Sequence, residues 1–248
     1  MTRSKIEKRL FLGTRGWTGD YLKKDFYPLG MKPTYYLRYY GAHFNMSEVV
    51  STSKSLPYSS TVDHWYLNSP ADFLFCPHLP LHELGSDTGA KSISTEQFVD
   101  RMRLLRGKLG PVILNLVEVS SETEKRKVLE LAARLPESYR FVLAGEGRGS
   151  VFEKEAEKIL GANRVTMAVE LTVNEKEFEN TDAGFFVYWY LHLEERVNKK
   201  LASRFVPMLG ERIIRLVSEN KYVFLVLTAK RYEPIGLVRE QLCKFLSD

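Results

Sequence analysis

Charged and hydrogen-bonding side chains recur in this sequence just after short apolar runs. Arg15 and Trp17 follow the run 10–13, Asn45 and Glu48 fall within 44–50, His78 and His82 follow 73–76, and Asn115 and Glu118 close 112–116. Glu146 and Arg148 follow 139–143, His192 and Glu194 follow 185–191, and Thr228 and Lys230 end the stretch from residue 222. Carboxylates, imidazoles and guanidinium groups gathered in one cleft bring one another's proton affinities toward neutrality, which suits acid–base chemistry on a polar substrate. Glu48 or Glu146 then serves as the base, His82 or His192 as its acid partner, and Arg15 or Arg148 as the clamp for an anionic group. Trp17, Asn45, His78 and Asn115 complete the expected ligand contacts. Each of these residues has a plainer alternative, as a solvated or structural group at a strand end.

Two further chemistries are open to these residues. His78 and His82 could share a metal with Glu48 or His192, but Pro77 and Pro80 oppose a helix that would present both rings on one face, so no metal site is expected. Cys76 beside a histidine has the makings of a nucleophile, whereas a cysteine closing a strand is more often a small buried hydrophobe. The aromatic run from Phe185 to Tyr190 fits a strand with one face in the core and the other under a helix. Tyr35, Tyr36, Tyr39 and Tyr40 fall at helical spacing and read as packing.

Positioning such a set demands strands that all point the same way. The runs 10–13, 44–50, 73–76, 112–116, 139–143, 165–169, 185–191 and 222–228 alternate with amphipathic stretches, the mark of βα units and a parallel sheet. Ser121 with Glu124 forms a capping-box signature before an apolar stripe, Ser94 opens another helix, Ser60 and Asp63 a shorter one, and residues 235–246 a last. Pro207 is expected in the first turn of a helix carrying Leu209, Ile213, Leu216 and Val217. Gly13 to Gly16 lacks the G-x-G-x-x-G spacing and no Walker sequence occurs, which disfavours an open dinucleotide-binding sheet. The fold expected is α/β, a TIM-type (β/α) barrel with seven to eight strands and some distortion. In that fold the active site lies at the C-terminal ends of the strands.

The chain has 248 residues, 44% of them hydrophobic and 27% charged, enough to bury one large core, so 1–248 reads as a single domain with 1–9 a flexible basic extension. That extension lacks the apolar stretch of a signal peptide, no run reaches the length of a membrane span, and the two cysteines, Cys76 and Cys243, carry no metal-ligand spacing. A cytoplasmic location without membrane contact is expected. A net charge of +5, from 36 basic against 31 acidic residues, is a mild excess that favours polyanions without specifying them; the partners expected are a small anionic ligand at the strand ends and, second, nucleic acid. Clusters such as Lys125, Arg126 and Lys127 beside Glu122, Glu124 and Glu130 read as a solvated helix face.

A more particular pattern occupies the first third: Gly13-Thr14-Arg15-Gly16-Trp17, then Phe26-Tyr27-Pro28, Tyr39-Tyr40, Phe44-Asn45, Glu48, Ser51-Thr52, Pro57, Thr61-Val62 and Trp65. In order and spacing this resembles the YecE-like family, a domain of unknown function with a TIM-like barrel. Asp72-Phe73-Leu74-Phe75, residues 109–114, Tyr139-Arg140-Phe141 and Phe186-Val187-Tyr188 resemble later family strands. The resemblance implies a barrel and no established reaction. It also shows departures: Ser53-Lys54 follow Thr52 where the family has F-Y, His78 stands at a family lysine, and Asn115 and Val117 replace a glutamine and a proline. Glu146 and Arg148 stand near a family E-F-R-H segment, Tyr190 replaces an arginine although His192 remains, and the family's last F-N-N is absent.

Three functional readings follow, with no cofactor identified and the oligomeric state open. The first is a hydrolase or lyase acting on a small polar or anionic substrate at the strand C-termini. The second, drawn from the departures, is a non-catalytic barrel serving as a scaffold or partner-binding protein, and the third is a nucleic-acid binder.

Overall fold

Short Val/Ile/Leu/Phe runs buried on both faces are the material of parallel strands. The computed structural model, described here for residues 6, 8–81, 94–117, 119, 121–145, 150–173 and 184–247, folds eight of them into a barrel. The strands are β1 (Leu10–Arg15), β2 (Met46–Val49), β3 (Leu74–Pro77), β4 (Val112–Asn115), β5 (Phe141–Ala144), β6 (Val165–Leu171), β7 (Phe186–His192) and β8 (Tyr222–Thr228). Their order is β3-β2-β1-β8-β7-β6-β5-β4 with parallel pairing throughout. Between β3 and β4 the wall closes through two isolated bridges, Phe75 to Leu109 and His78 to Ile113. The Gly110 N–H donates to the Phe75 carbonyl at 2.8 Å and the Leu79 N–H to the Ile113 carbonyl at 2.9 Å.

The described helices are α1 (Asp20–Asp25), α2 (Tyr36–Gly41), α3 (Ser59–Leu67), α4 (Thr95–Arg103), α5 (Glu122–Ala133), α6 (Val151–Leu160), α7 (Lys199–Ser218) and α8 (Tyr232–Phe245). Ser121 and Glu124 close the expected capping box of α5, and Ser94 with Gln97 closes another on α4. Pro207 departs from expectation. It lies inside α7, whose N-cap is Asn198, with the Asn198 side chain accepting from the Leu201 N–H at 3.0 Å. The cap fixes the start a little over two turns earlier. The missing N–H of proline is tolerated because Phe205, Leu209, Ile213 and Leu216 bury a continuous face.

Side chains alternate across each strand, and the alternation separates two apolar clusters. Met46, Cys76, Ile113, Val142, Ala168, Phe186, Tyr188, Phe224 and Val226 fill the barrel. Their neighbours Leu12, Phe75, Leu114, Leu143, Val187, Trp189 and Leu225 pack outward in the cluster shared with the helices. The aromatic run of β7 thus divides between the two layers as its pattern predicts. Gly13 is the inward residue of β1, and a Cβ there would stand 2.1 Å from the Met46 carbonyl oxygen, so only glycine lets β2 come this close. No described helix is long and apolar enough to cross a membrane.

Candidate active site at the barrel mouth

Continuing the inward alternation toward the C-terminal ends replaces apolar residues with polar ones. Arg15, Glu48, His78, Asn115, Glu170, Tyr190, His192 and Thr228 share the inward face there. The register sets neighbours side by side: Arg15 pairs with Glu48, Glu48 with Cys76, Glu170 with Tyr190, and His192 with Thr228. Thr14 pairs with Leu227, so the next residues along, Arg15 and Thr228, are level on adjoining strands.

Glu48 is fully buried, and both carboxylate oxygens are engaged. Oε1 accepts from the Tyr188 hydroxyl at 3.0 Å and from the Tyr190 hydroxyl, and Oε2 accepts from Arg15 Nε at 3.0 Å. His78 Nε2 stands 3.7 Å from Oε2, too far for a hydrogen bond, and neither of its ring nitrogens has a partner among the described residues. Burial alone would raise the Glu48 pKa, but His78, Arg15 and Tyr190 together outweigh it and hold the group below the usual carboxylate range. Burial pushes the two phenols well up, reinforced by the Glu48 charge, so both remain donors. For Arg15 burial opposes the charge, yet Glu48 and Tyr190 prevail and its pKa lies above normal. The Arg15 side chain is 46% exposed, and its guanidinium carbon lies 5.6 Å from the centre of the Tyr190 ring. An ionised, saturated carboxylate is a poor proton acceptor; Glu48 is a fixed negative charge that orders its neighbours.

Above it, on the open rim, His192 bridges two groups. Its Nε2 contacts Glu170 Oε2, and its Nδ1 lies 2.8 Å from Thr228 Oγ1. A carboxylate only accepts, so Nε2 carries a proton, and in the tautomer with that proton alone Nδ1 accepts from the Thr228 hydroxyl, which also reaches the Leu191 carbonyl at 3.4 Å. The His192 and Glu170 side chains are 47% and 60% exposed.

Among the residues expected from sequence, Arg15, Glu48 and His78 form one group and His192 lies at the rim with Thr228. Asn115 closes β4 on the inward face, with Oδ1 accepting from the Val117 N–H at 3.4 Å. Two others are not brought to the mouth. Asn45 precedes β2 at the opposite end of the barrel, where its side chain accepts from the Leu12 N–H at 2.7 Å and donates to the Leu10 carbonyl at 2.8 Å. Trp17 packs edge-on against Trp65 and Phe75, with centroids 5.5 and 5.8 Å away. Glu194 pairs with Arg196 beyond β7. His82, Glu118, Glu146 and Arg148 lie outside the described residues. Cys76 is buried beneath Glu48, and burial with that charge raises its thiol pKa well above normal, so it is no nucleophile. Among the described residues no group of three or more His, Cys, Asp or Glu could hold a metal.

Glu170, Tyr188 and Thr52 are not among the site candidates that the sequence offers, although the last two fall within family-like motifs. Two-residue alternation from Ala168 points Glu170 inward at the end of β6, a signal available in the sequence. Thr52 acts on the backbone, its hydroxyl accepting from the His78 N–H at 2.8 Å, and only the fold reveals that contact.

The family described as "Protein of unknown function DUF72" matches residues 11–234, bearing out the resemblance carried by the N-terminal motifs. A crystal structure of a DUF72 family protein from Enterococcus faecalis V583 superposes with a TM-score of 0.69 at 13% identity, covering 97% of this chain and 98% of that one. A second crystal structure with the same description gives a TM-score of 0.62 at 15% identity, covering 96% of each chain. The apo form of the 3-keto-D-glucoside 4-epimerase YcjR from E. coli superposes at 0.52 with 10% identity, covering 97% of this chain and 100% of that one. No curated protein matches. At such identities the structural likeness establishes the barrel alone.

Proposed function

Starting from the premise that this chain belongs to the DUF72 family, whose function is unknown, we propose that its barrel mouth is a hydrolase-type site for a small anionic substrate. The observation that carries this reading is the Glu170–His192–Thr228 relay on the open rim. Both imidazole nitrogens are engaged, so the group that meets a substrate is the Thr228 hydroxyl. Its arrangement is that of a nucleophile, a base and an orienting carboxylate. Thr228 Oγ1 attacks the electrophilic centre as its proton passes to His192 Nδ1, and Glu170 stabilises the imidazolium. His192 then returns that proton to the leaving group, and water attacks the covalent intermediate by the same route to free Thr228.

Arg15, level with Thr228 on the adjoining strand, supplies N–H groups to the substrate anion. Glu48 holds Arg15 in place and is not itself the base. An activated hydroxyl reacts with a fluorophosphonate without any knowledge of the substrate. Peptide mass spectrometry is expected to find the adduct on Thr228 and to find it lost in His192→Asn. An adduct of equal yield in His192→Asn, or none on Thr228, rejects the relay and leaves a non-catalytic barrel as the better reading, in line with the saturated Glu48.

A further inference from the structure

The barrel has a cavity of about 840 Å³ at the end opposite the mouth, sharing no lining residue with the site above. Its walls are strand beginnings: Phe11 of β1, Leu74 of β3, Phe186 of β7, and Tyr222 and Phe224 of β8. Residues that precede β4 and β5 complete it, among them Pro111, Tyr139 and Arg140. This end of a barrel ordinarily serves stability. Here it forms a half-open recess whose volume falls within the range of about 300–1,000 Å³ usual for small-molecule sites.

Two kinds of group face this space. The first is aromatic. Phe11 stacks on Phe224 at 4.9 Å and 17°, Tyr222 lies 6.4 Å from Phe11, and the exposed Phe185 lies 6.1 Å from Tyr222. The second is cationic. Arg103, Arg106 and Arg140 line the cavity, and no Asp or Glu does so among the described residues. Arg103 is exposed, and among the described residues it donates to the equally exposed Asp100 at 3.2 Å. Arg140 uses Nη1 on the carbonyls of Glu137, Ser138 and Tyr139 at 3.2, 3.3 and 3.3 Å, which stiffens the rim.

Two details mark the place as built. Tyr139 is buried, only 7% exposed, and its hydroxyl has no hydrogen-bond partner among the described residues, an unfavourable state until something pairs with it. Arg106 adopts the left-handed backbone at φ +51°, uncommon for a residue other than glycine, with its guanidinium carbon 4.7 Å from the centre of the Tyr66 ring. Lys108 anchors the same turn by donating to the Tyr66 and Ser69 carbonyls at 2.7 and 2.9 Å.

We propose that this cavity binds a small molecule combining a planar aromatic ring with an anionic group, the ring against Phe11 and Tyr222 and the anion toward Arg103 and Arg140. Rings of this kind favour stacking, and guanidinium groups favour phosphate or carboxylate. The anion has two natural sources, so calorimetric titration of the full chain uses AMP and 2-naphthoate, each beside its uncharged counterpart, adenosine and 2-naphthol. At least one anion is expected to bind, at least about tenfold more tightly than its counterpart, as one charge-assisted hydrogen bond implies. Binding of AMP alone assigns phosphate, and of naphthoate alone carboxylate. Arg103→Ala, on an exposed helix surface, should weaken binding by about tenfold. Gly107→Phe, where an added Cβ meets nothing within 4 Å, should obstruct the cavity edge and abolish it. The proposal is overturned if neither anion binds, if the uncharged compounds bind as well, or if both variants bind like the parent.

Discussion

Replacing Glu48 with glutamine keeps the volume and removes the charge, which isolates what the buried carboxylate does for the barrel. Two phenol hydrogen bonds fall from the charge-assisted range of about 1.5–3 kcal/mol to the neutral range of about 0.5–1.5 kcal/mol, a combined loss of roughly 2 kcal/mol. The new amide also turns donors toward Arg15 or a phenol, adding about 1 kcal/mol. The Arg15 pair itself is half-exposed and contributes under about 1 kcal/mol. The expected cost at neutral pH is therefore about 3 kcal/mol, a fall in Tm of roughly 6–12 °C for a chain of this size.

The pH dependence carries the sharper signature. Glu48 has its pKa lowered in the folded state, so its contribution is complete above the unfolded value of about 4.3 and is lost as pH falls through the lower folded value. Urea unfolding of the two proteins from neutral pH to pH ~3 should show a gap that is widest at neutral pH and narrows once the wild-type carboxyl protonates. A gap under about 0.5 kcal/mol at neutral pH, or one that stays constant through the acid range, would refute the assignment of Glu48 as a buried, ionised hub.

Two further outcomes follow from the same framework. Asn45→Ala removes both side-chain bonds to the β1 backbone and should cost about 2–3 kcal/mol in urea unfolding, with any rim activity or labelling retained; loss of labelling in a folded variant would place Asn45 in the site after all. A thiol reagent added to the native protein should titrate Cys243 quickly and reach Cys76 only on unfolding, whereas two fast equivalents would contradict the burial of Cys76.

Much of the framework was legible because hydrophobic pattern and local capping agree. The stretch from residue 222 to 228 reads as β8 at both ends, and Ser121 with Glu124 marks the start of α5 without help from tertiary contacts. Where side chains replace backbone, the reading slipped. Asn45 looks like the head of a strand at the mouth, yet its amide imitates a ladder partner for β1, and β2 begins one residue later at the far end. Pro207 looks like a helix start because proline suits a first turn, while the side chain of Asn198 had already capped the helix. Types and faces of the site residues were readable from two-residue alternation. Their pairing was not, since Glu48 meets Tyr190 across 142 positions of sequence and the contact depends on barrel closure.

That closure has a consequence of its own. The wall between β3 and β4 is held by two isolated bridges, and the upper one is centred on His78, whose imidazole faces Glu48 without a hydrogen-bond partner, the bond across it being donated by the next N–H, that of Leu79. One residue therefore belongs both to the lining of the mouth and to the zip that seals the cylinder. A ligand that paired with that ring only in the closed barrel would, by linkage, raise the free energy of parting β3 from β4.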